Sequence, residues 1–197
     1  MKMKFIKTLL LAGMLFDSSI MMAETNTTEI VATGEAATVK LLKRLGGDLK
    51  KELKKGVVKA AKFCSSKAQD ITIELNRELG EGVMIHRTSL KYRNPANAPI
   101  EEEKEILEAL QTLKAHDVKL PPYLLQKKSE THYKYYKPIM IEKKVCLKCH
   151  GMSAKISKKV KKVISDTYLN DLATGYRMGD LRGLFVVDIK TDRNGTK

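Results

Sequence analysis

No stretch of this sequence can span a bilayer: its leading apolar run, from Leu9 to Phe16, is cut by Asp17 and falls far short of the roughly 20 residues needed. No internal repeat is present, which removes the solenoid and propeller architectures. Cysteine is scarce, with three in 197 residues, and an odd number leaves one thiol unpaired even where an oxidising compartment joins the others. No nucleophile and base pair and no second metal motif stand out, so no enzyme is expected. What is present, 43% hydrophobic and 30% charged residues, suits one compact domain rather than a disordered or multidomain chain.

Basic residues exceed acidic ones, 37 to 23, for a formal charge of +14. Such an excess ordinarily raises nucleic acid or anionic membranes as partners. The N-terminus redirects that reading. Met1-Lys2-Met3-Lys4-Phe5-Ile6-Lys7 is a basic start followed by the short apolar run, the pattern of a secretory signal, with cleavage expected after Ala23. The expectation is therefore a soluble periplasmic protein, and nucleic acid is not expected as a partner. The chain divides into a leader (1–23), a flexible segment (24–38), one domain (39–190) and a polar tail (191–197).

The most specific signal is Cys146-Leu147-Lys148-Cys149-His150, the attachment sequence of c-type haem. Two thiols three residues apart on a helical turn point the same way and can add to the two vinyl groups of one porphyrin edge. The adjacent histidine then falls under the iron as its proximal ligand. One covalent haem c is the expected cofactor. A zinc site, a thioredoxin-like redox pair and a plain disulfide compete for the same residues. The zinc reading needs a fourth ligand, and Cys64, His86, His116 and His132 are scattered singly; the redox pair gives no task to His150.

Apolar residues recur every three or four positions over 39–79, predicting one long amphipathic helix, or two joined near Cys64-Ser65-Ser66, with Cys64 on the buried side. A strand is predicted over 82–88, then a turn-rich loop through Asn94-Pro95-Ala96-Asn97-Ala98-Pro99. Glu101, Glu102 and Glu103 open a helix with Ile106, Leu107, Leu110 and Leu113 on its apolar face. A strand over 132–142 must lie at an edge or carry a bulge because of Pro138. A basic amphipathic helix follows over 155–169, then a buried strand over 182–189. Helices inserted between few strands predict an α+β fold with an antiparallel sheet. The attachment sequence near the C-terminus, after strands, departs from the small all-helical cytochromes.

Three blocks bring a family into view. Arg87-Thr88-Ser89-Leu90-Lys91-Tyr92-Arg93-Asn94-Pro95-Ala96-Asn97-Ala98-Pro99 closely resembles the hallmark of a bacterial family of periplasmic single-haem c-type domains with a PAS-like fold, long known only as a domain of unknown function. The stretch from Tyr136-Lys137-Pro138-Ile139 to His150-Gly151 is similar to the family's strand and haem sequence. Asp171-Leu172-Ala173-Thr174-Gly175-Tyr176 with Gly179-Asp180-Leu181-Arg182-Gly183 is similar to its closing region. Together the blocks cover about residues 55–190.

The resemblance implies a PAS-like antiparallel sheet with a long N-terminal helix, holding haem at one side. It further implies a stand-alone version of a domain that elsewhere heads membrane signalling proteins. In a characterised type of this family the iron is held by the haem-sequence histidine and a cysteine of the N-terminal helix, and Cys64 stands at the matching position. The resemblance thus assigns His150 and Cys64 to the iron. Read on its own, Cys64 is equally a small buried hydrophobe. A thiolate ligand favours ferric iron and a low potential, which suits a redox or diatomic-gas sensor; an electron carrier without a signalling role is the alternative. Rivals for the second ligand are Met152, His86, His116 and His132.

Arg87 and Arg93 flank the loop and suit haem propionates, and Tyr176 and Arg182 are candidates to pack on or bridge to the haem. The lysines of residues 155–162 can meet an acidic redox or signalling partner. Members of the family often pair through the N-terminal helix, so the resemblance admits a homodimer.

Overall fold

The computed structural model describes residues 18–191, with side chains from residue 27 on. The expected leader, 1–23, and the polar tail beyond 191 lie outside the residues whose side chains are described. Residues 24–38, expected to be flexible, are instead helical, within α1 (Ser18–Lys54). The reason is a stripe of Ile30, Ala37 and Leu41, all buried, that carries the apolar spacing back before residue 39. Small residues between them hide the stripe from hydrophobicity alone. Gly34 is one of these, and a Cβ there would collide with the ring of Tyr135, so glycine lets the helix lie directly on the sheet.

The helical region breaks twice, not once. Gly56, at φ 115°, takes a backbone conformation that other residues resist and separates α1 from α2 (Val57–Ser66). Lys67, one residue past the predicted joint, separates α2 from α3 (Ala68–Leu79). Then come β1 (Val83–Thr88), α4 (Glu101–Ala115), β2 (Leu124–Ser129), β3 (His132–Met140), α5 (Leu147–His150), α6 (Lys158–Ser165) and β4 (Leu181–Lys190). The sequence reading omitted β2, whose Gln126-Lys127-Lys128 carries little apolar alternation.

The four strands form one antiparallel sheet in the order β1-β4-β3-β2, so the fold is α+β. The buried strand β4 sits inside, as its apolar run Leu184-Phe185-Val186-Val187 requires. Pro138 sits in β3 beyond Tyr136, the last residue paired with β2, so its missing N–H breaks no bond on that side; a bulge follows between Ile139 and Met140.

One face of the sheet packs Ile85, Tyr135 and Val187 against Leu41 of α1 and Leu75 of α3. The other packs Tyr136, Leu184 and Val186 against Leu107 and Leu110 of α4. Each fully buried leucine contributes about 1.5–3 kcal/mol relative to exposure. A third cluster joins Ala61 of α2 to Ile156, Val160 and Ile164 around α6. Among the described residues no helix is long and apolar enough to cross a membrane.

Candidate functional site

Where the C-terminal half of α1, α2 and the β1 end of the sheet meet, they enclose a mainly apolar cavity of about 310 Å³, within the range of small-molecule sites. Leu45, Leu49 and Leu53 of α1 form one wall, with Ala60, Ala61 and Cys64 of α2 beside them. Cys146, Cys149 and His150 enter from the other direction, and Arg87, Arg93 and Arg182 line the same space. The structure thus gathers seven residues that lie up to 118 positions apart in the sequence, from Cys64 to Arg182.

A 3-10 turn at Lys144–Cys146 runs straight into α5. That continuous winding places both thiols and the imidazole on the cavity. All three cysteines are free thiols. The His150 Nδ1–H donates to the carbonyl of Ala173 at 2.9 Å. A carbonyl can only accept, so the proton is on Nδ1 and the lone pair of Nε2 is left for a ligand role. Burial, joined by the positive charges of Arg182 and Arg93, holds the imidazole pKa well below its ordinary value against the pull of Ala173. The ring is neutral and can donate electrons.

The carbonyl that orients His150 is itself fixed. Arg93 Nε and Nη2 donate to the two carboxylate oxygens of Asp171, each at 3.0 Å, and Nη2 also reaches the carbonyls of Cys149 at 2.8 Å and Ala173 at 3.3 Å. Asp171 in turn accepts from the Ala173 N–H at 2.9 Å. The segment is sewn down further by Tyr176 N–H to His150 O and Gly175 N–H to Gly151 O. Arg93 was expected at a propionate. Its Nε and Nη2 are engaged with Asp171 and with two carbonyls around the histidine, which gives it a positioning role, while the residue still lines the cavity. Asp171 and Ala173 were quoted only as part of a resembling block; nothing in their residue types announces this task.

Tyr176, expected against the cofactor, does not line the cavity. It stands behind His150, ring edge to ring face with centroids 6.3 Å apart and planes at 87°, and carries the Lys91 ammonium at 4.4 Å over its own ring.

Cys64 was expected on a buried helix face. Protein surrounds it, and burial, with the Cys149 thiol adding to it, pushes its pKa up to about 11 against the lowering effect of Arg87 and Arg93. Yet its surface is accessible, because it opens on the cavity it lines. The rival residues lie elsewhere. His86 Nε2 meets Glu103 at 2.8 Å on the α4 side of the sheet, His132 meets Asp188 at 2.5 Å, His116 caps α4, and Met152 is 47% exposed outside the cavity.

Two of the three arginines have no acid beside them. Arg182 donates to Ser89 Oγ at 2.7 Å, to Lys91 O at 3.1 Å and to Tyr176 Oη at 3.4 Å, all neutral. Arg87 reaches only the Ala68 carbonyl at 3.3 Å, and its buried Nε has no partner among the described residues. Burial lowers the pKa of both, but a guanidinium stays charged in a protein. The cavity therefore holds two guanidiniums that make no ion pair among the described residues, Arg182 meeting the charge of Asp171 only at longer range, and an incoming anion would offset them. Among the described residues no group of three or more His, Cys, Asp or Glu is placed to hold a metal ion, so the four-ligand zinc reading has no support in this geometry.

A family model described as Tll0287-like matches residues 15–190. Among solved structures, that of the cyanobacterial haem protein Tll0287 is similar over 62% of this chain and 71% of its own, at 27% identity and a TM-score of 0.47. No curated protein matches the chain.

Proposed function

Because this chain belongs to the Tll0287-like family, whose namesake is a haem protein, we propose that its cavity binds haem, as one covalently attached haem c in a periplasmic protein. The observation that carries this reading is the charge of the cavity. Two buried guanidiniums without acidic partners face an apolar space that also holds two thiols and a neutral imidazole. A porphyrin with an apolar body and two propionates matches each of these features: Arg87 and Arg182 would hold the carboxylates, and α1 and α2 would cover the ring.

Cys146 and Cys149 would attach it. Each S–H adds across one vinyl C=C, sulfur bonding to one carbon and the hydrogen to the other, with nothing released. His150 would ligate the iron through Nε2 while Ala173 and Arg93 hold its ring. Cys64, on a separate helix, would supply a sulfur as the second protein ligand to the iron. With its pKa raised to about 11, the Cys64 thiol stays protonated unless an electrophile such as ferric iron were to bind its sulfur, the proton then passing to water. When bound, haem supplies a one-electron centre. Leu45, Leu49 and Leu53 exclude water from it.

A cysteine ligand, which would favour ferric over ferrous iron, suits a redox or diatomic-gas sensor in a PAS-like domain. The second reading, an electron carrier, is favoured by one observation, the lysine-rich exposed surface around the attachment sequence. The experiment is the optical spectrum of protein matured in a periplasm equipped for c-haem attachment, ferric and then reduced, beside Cys64→Ala. The thiolate reading expects the Cys64→Ala ferric spectrum to change while His116→Ala leaves it unaltered. Identical ferric spectra for wild type and Cys64→Ala would remove the thiolate.

A further inference from the structure

Charge on this molecule is unevenly compensated at its surface. Some lysines elsewhere pair with acids, Lys51 with Asp48, Lys55 with Glu52, Lys104 with Glu101 and Lys127 with Glu130, and where others such as Lys40, Lys43, Lys50 and Lys54 do not, Asp48 and Glu52 still stand among them. Between residues 143 and 162 the chain carries eight lysines and no carboxylate, and all eight are exposed. Of these, Lys162 is the one with an ion pair among the described residues, to Asp166. A solvated helix face needs no such exclusion of acids, since scattered carboxylates keep a surface equally soluble and reduce self-repulsion.

The position of this charge is specific. Lys143, Lys144 and Lys148 flank and interrupt the attachment sequence, and the remainder follow it on α6 and the turn before it. Exposed apolar side chains are interspersed along the same segment, Val145 at 39% within the first group and Met152 at 47% between the two in sequence. An apolar centre with a rim of one charge is the anatomy of an interface that is steered electrostatically and seated by contact. Val145, half-exposed beside Lys144, itself lines the cavity together with Cys146 and Cys149, so the charged segment borders the cavity at the two thiols.

We propose that this face docks a one-electron carrier protein through an acidic surface patch, bringing that partner's redox centre to the thioether edge of the cofactor. The inference rests on the haem reading and deepens it by naming the partner's chemistry. One electron crosses the interface: the partner's centre is oxidised by one electron as the iron is reduced, or the reverse, and no atom is transferred. The lysines draw the acidic patch in and orient it, while Val145 and Met152 close the contact.

The test is calorimetric titration of the matured protein with an acidic [2Fe–2S] ferredoxin as the probe. It is run at low and at physiological salt, with haem content read from absorbance in the same sample. Substituting Lys148, Lys158, Lys159 and Lys161 by glutamine is expected to weaken binding at low salt by about tenfold or more. The same change at Lys40, Lys43, Lys50 and Lys54 of α1 removes equal charge and is expected to weaken it much less. In the unsubstituted protein, binding should fall steeply with salt, a readout independent of any variant's folding. Equal losses in the two variants would overturn the proposal, because net charge alone would then explain binding. Binding to vesicles of phosphatidylcholine and phosphatidylserine at 3:1 without binding to the ferredoxin would overturn it in favour of a membrane surface. Protein that lacks haem yet binds the ferredoxin through these lysines would sink the haem reading and the electron transfer together, leaving a docking face of another purpose.

Discussion

The two sides of the sheet treat buried charge in opposite ways. On the α4 side, the buried carboxylate of Glu103 is met by His86; burial raises its pKa, but His86 together with smaller contributions from Thr88 and the Ile100 N–H holds it below the usual value. Glu102 lies between Lys128 and Lys134, whose hydrogen bonds hold its carboxyl at about 2. On the cavity side, Arg93 has Asp171, but Arg87 and Arg182 have none. A fold that pairs its charges on one side and leaves two cations unpaired on the other is stabilised by what enters there. The difference locates the binding site as clearly as the attachment sequence does.

Removing one member of a compensated pair should cost the most. Arg93→Met leaves the half-buried Asp171 without its partner and frees the carbonyl that orients His150; the expected loss is about 3–5 kcal/mol by denaturant unfolding. If Arg93→Met unfolds like wild type, the clamp is not structural. A smaller loss, about 1–3 kcal/mol, is expected for His86→Ala, because Glu103 keeps a backbone partner in Ile100 and can protonate.

The uncompensated side should answer with the opposite sign. In protein that cannot attach haem, Arg87→Met removes a buried, unpaired charge and should stabilise by about 1 kcal/mol. In haem-bearing protein the same change should destabilise. The same sign in both forms would show that Arg87 does not answer to an anion in the cavity. The smallest effect concerns Glu102. Its folded pKa is depressed, so its contribution is fully present above the ordinary carboxylate range and is lost as pH falls from about 5 towards 2. Thermal midpoints of wild type and Glu102→Gln should therefore converge over that interval, and a gap that stays constant would contradict the assignment.

The residues singled out by type in the sequence meet in the fold, and those that act by position were not legible. Cys146, Cys149 and His150 stand out through spacing and Cys64 as the thiol left over, and all four line one cavity. The α+β fold follows from apolar periodicity, and β1, α4, β3, α6 and β4 lie close to their predicted spans. Periodicity failed where it had little to read. Before residue 39 the helical stripe sets Ile30 seven residues from Ala37 with small residues between them, and β2 is an edge strand with lysines. The Arg93–Asp171 clamp joins residues 78 positions apart, and nothing local distinguishes either from a solvated loop residue. For the same reason the engagement of Arg93 with Asp171 could not be read in advance: which arginine is already paired is a property of the folded chain.

The central claim is that this cavity takes haem on its two thiols. The most direct measurement is the intact mass of protein matured with c-haem attachment machinery, beside the Cys146→Ser/Cys149→Ser variant. The account predicts the mass of the chain plus one haem for the wild type, surviving denaturation, and the bare chain for the variant. A wild-type mass without haem would contradict it.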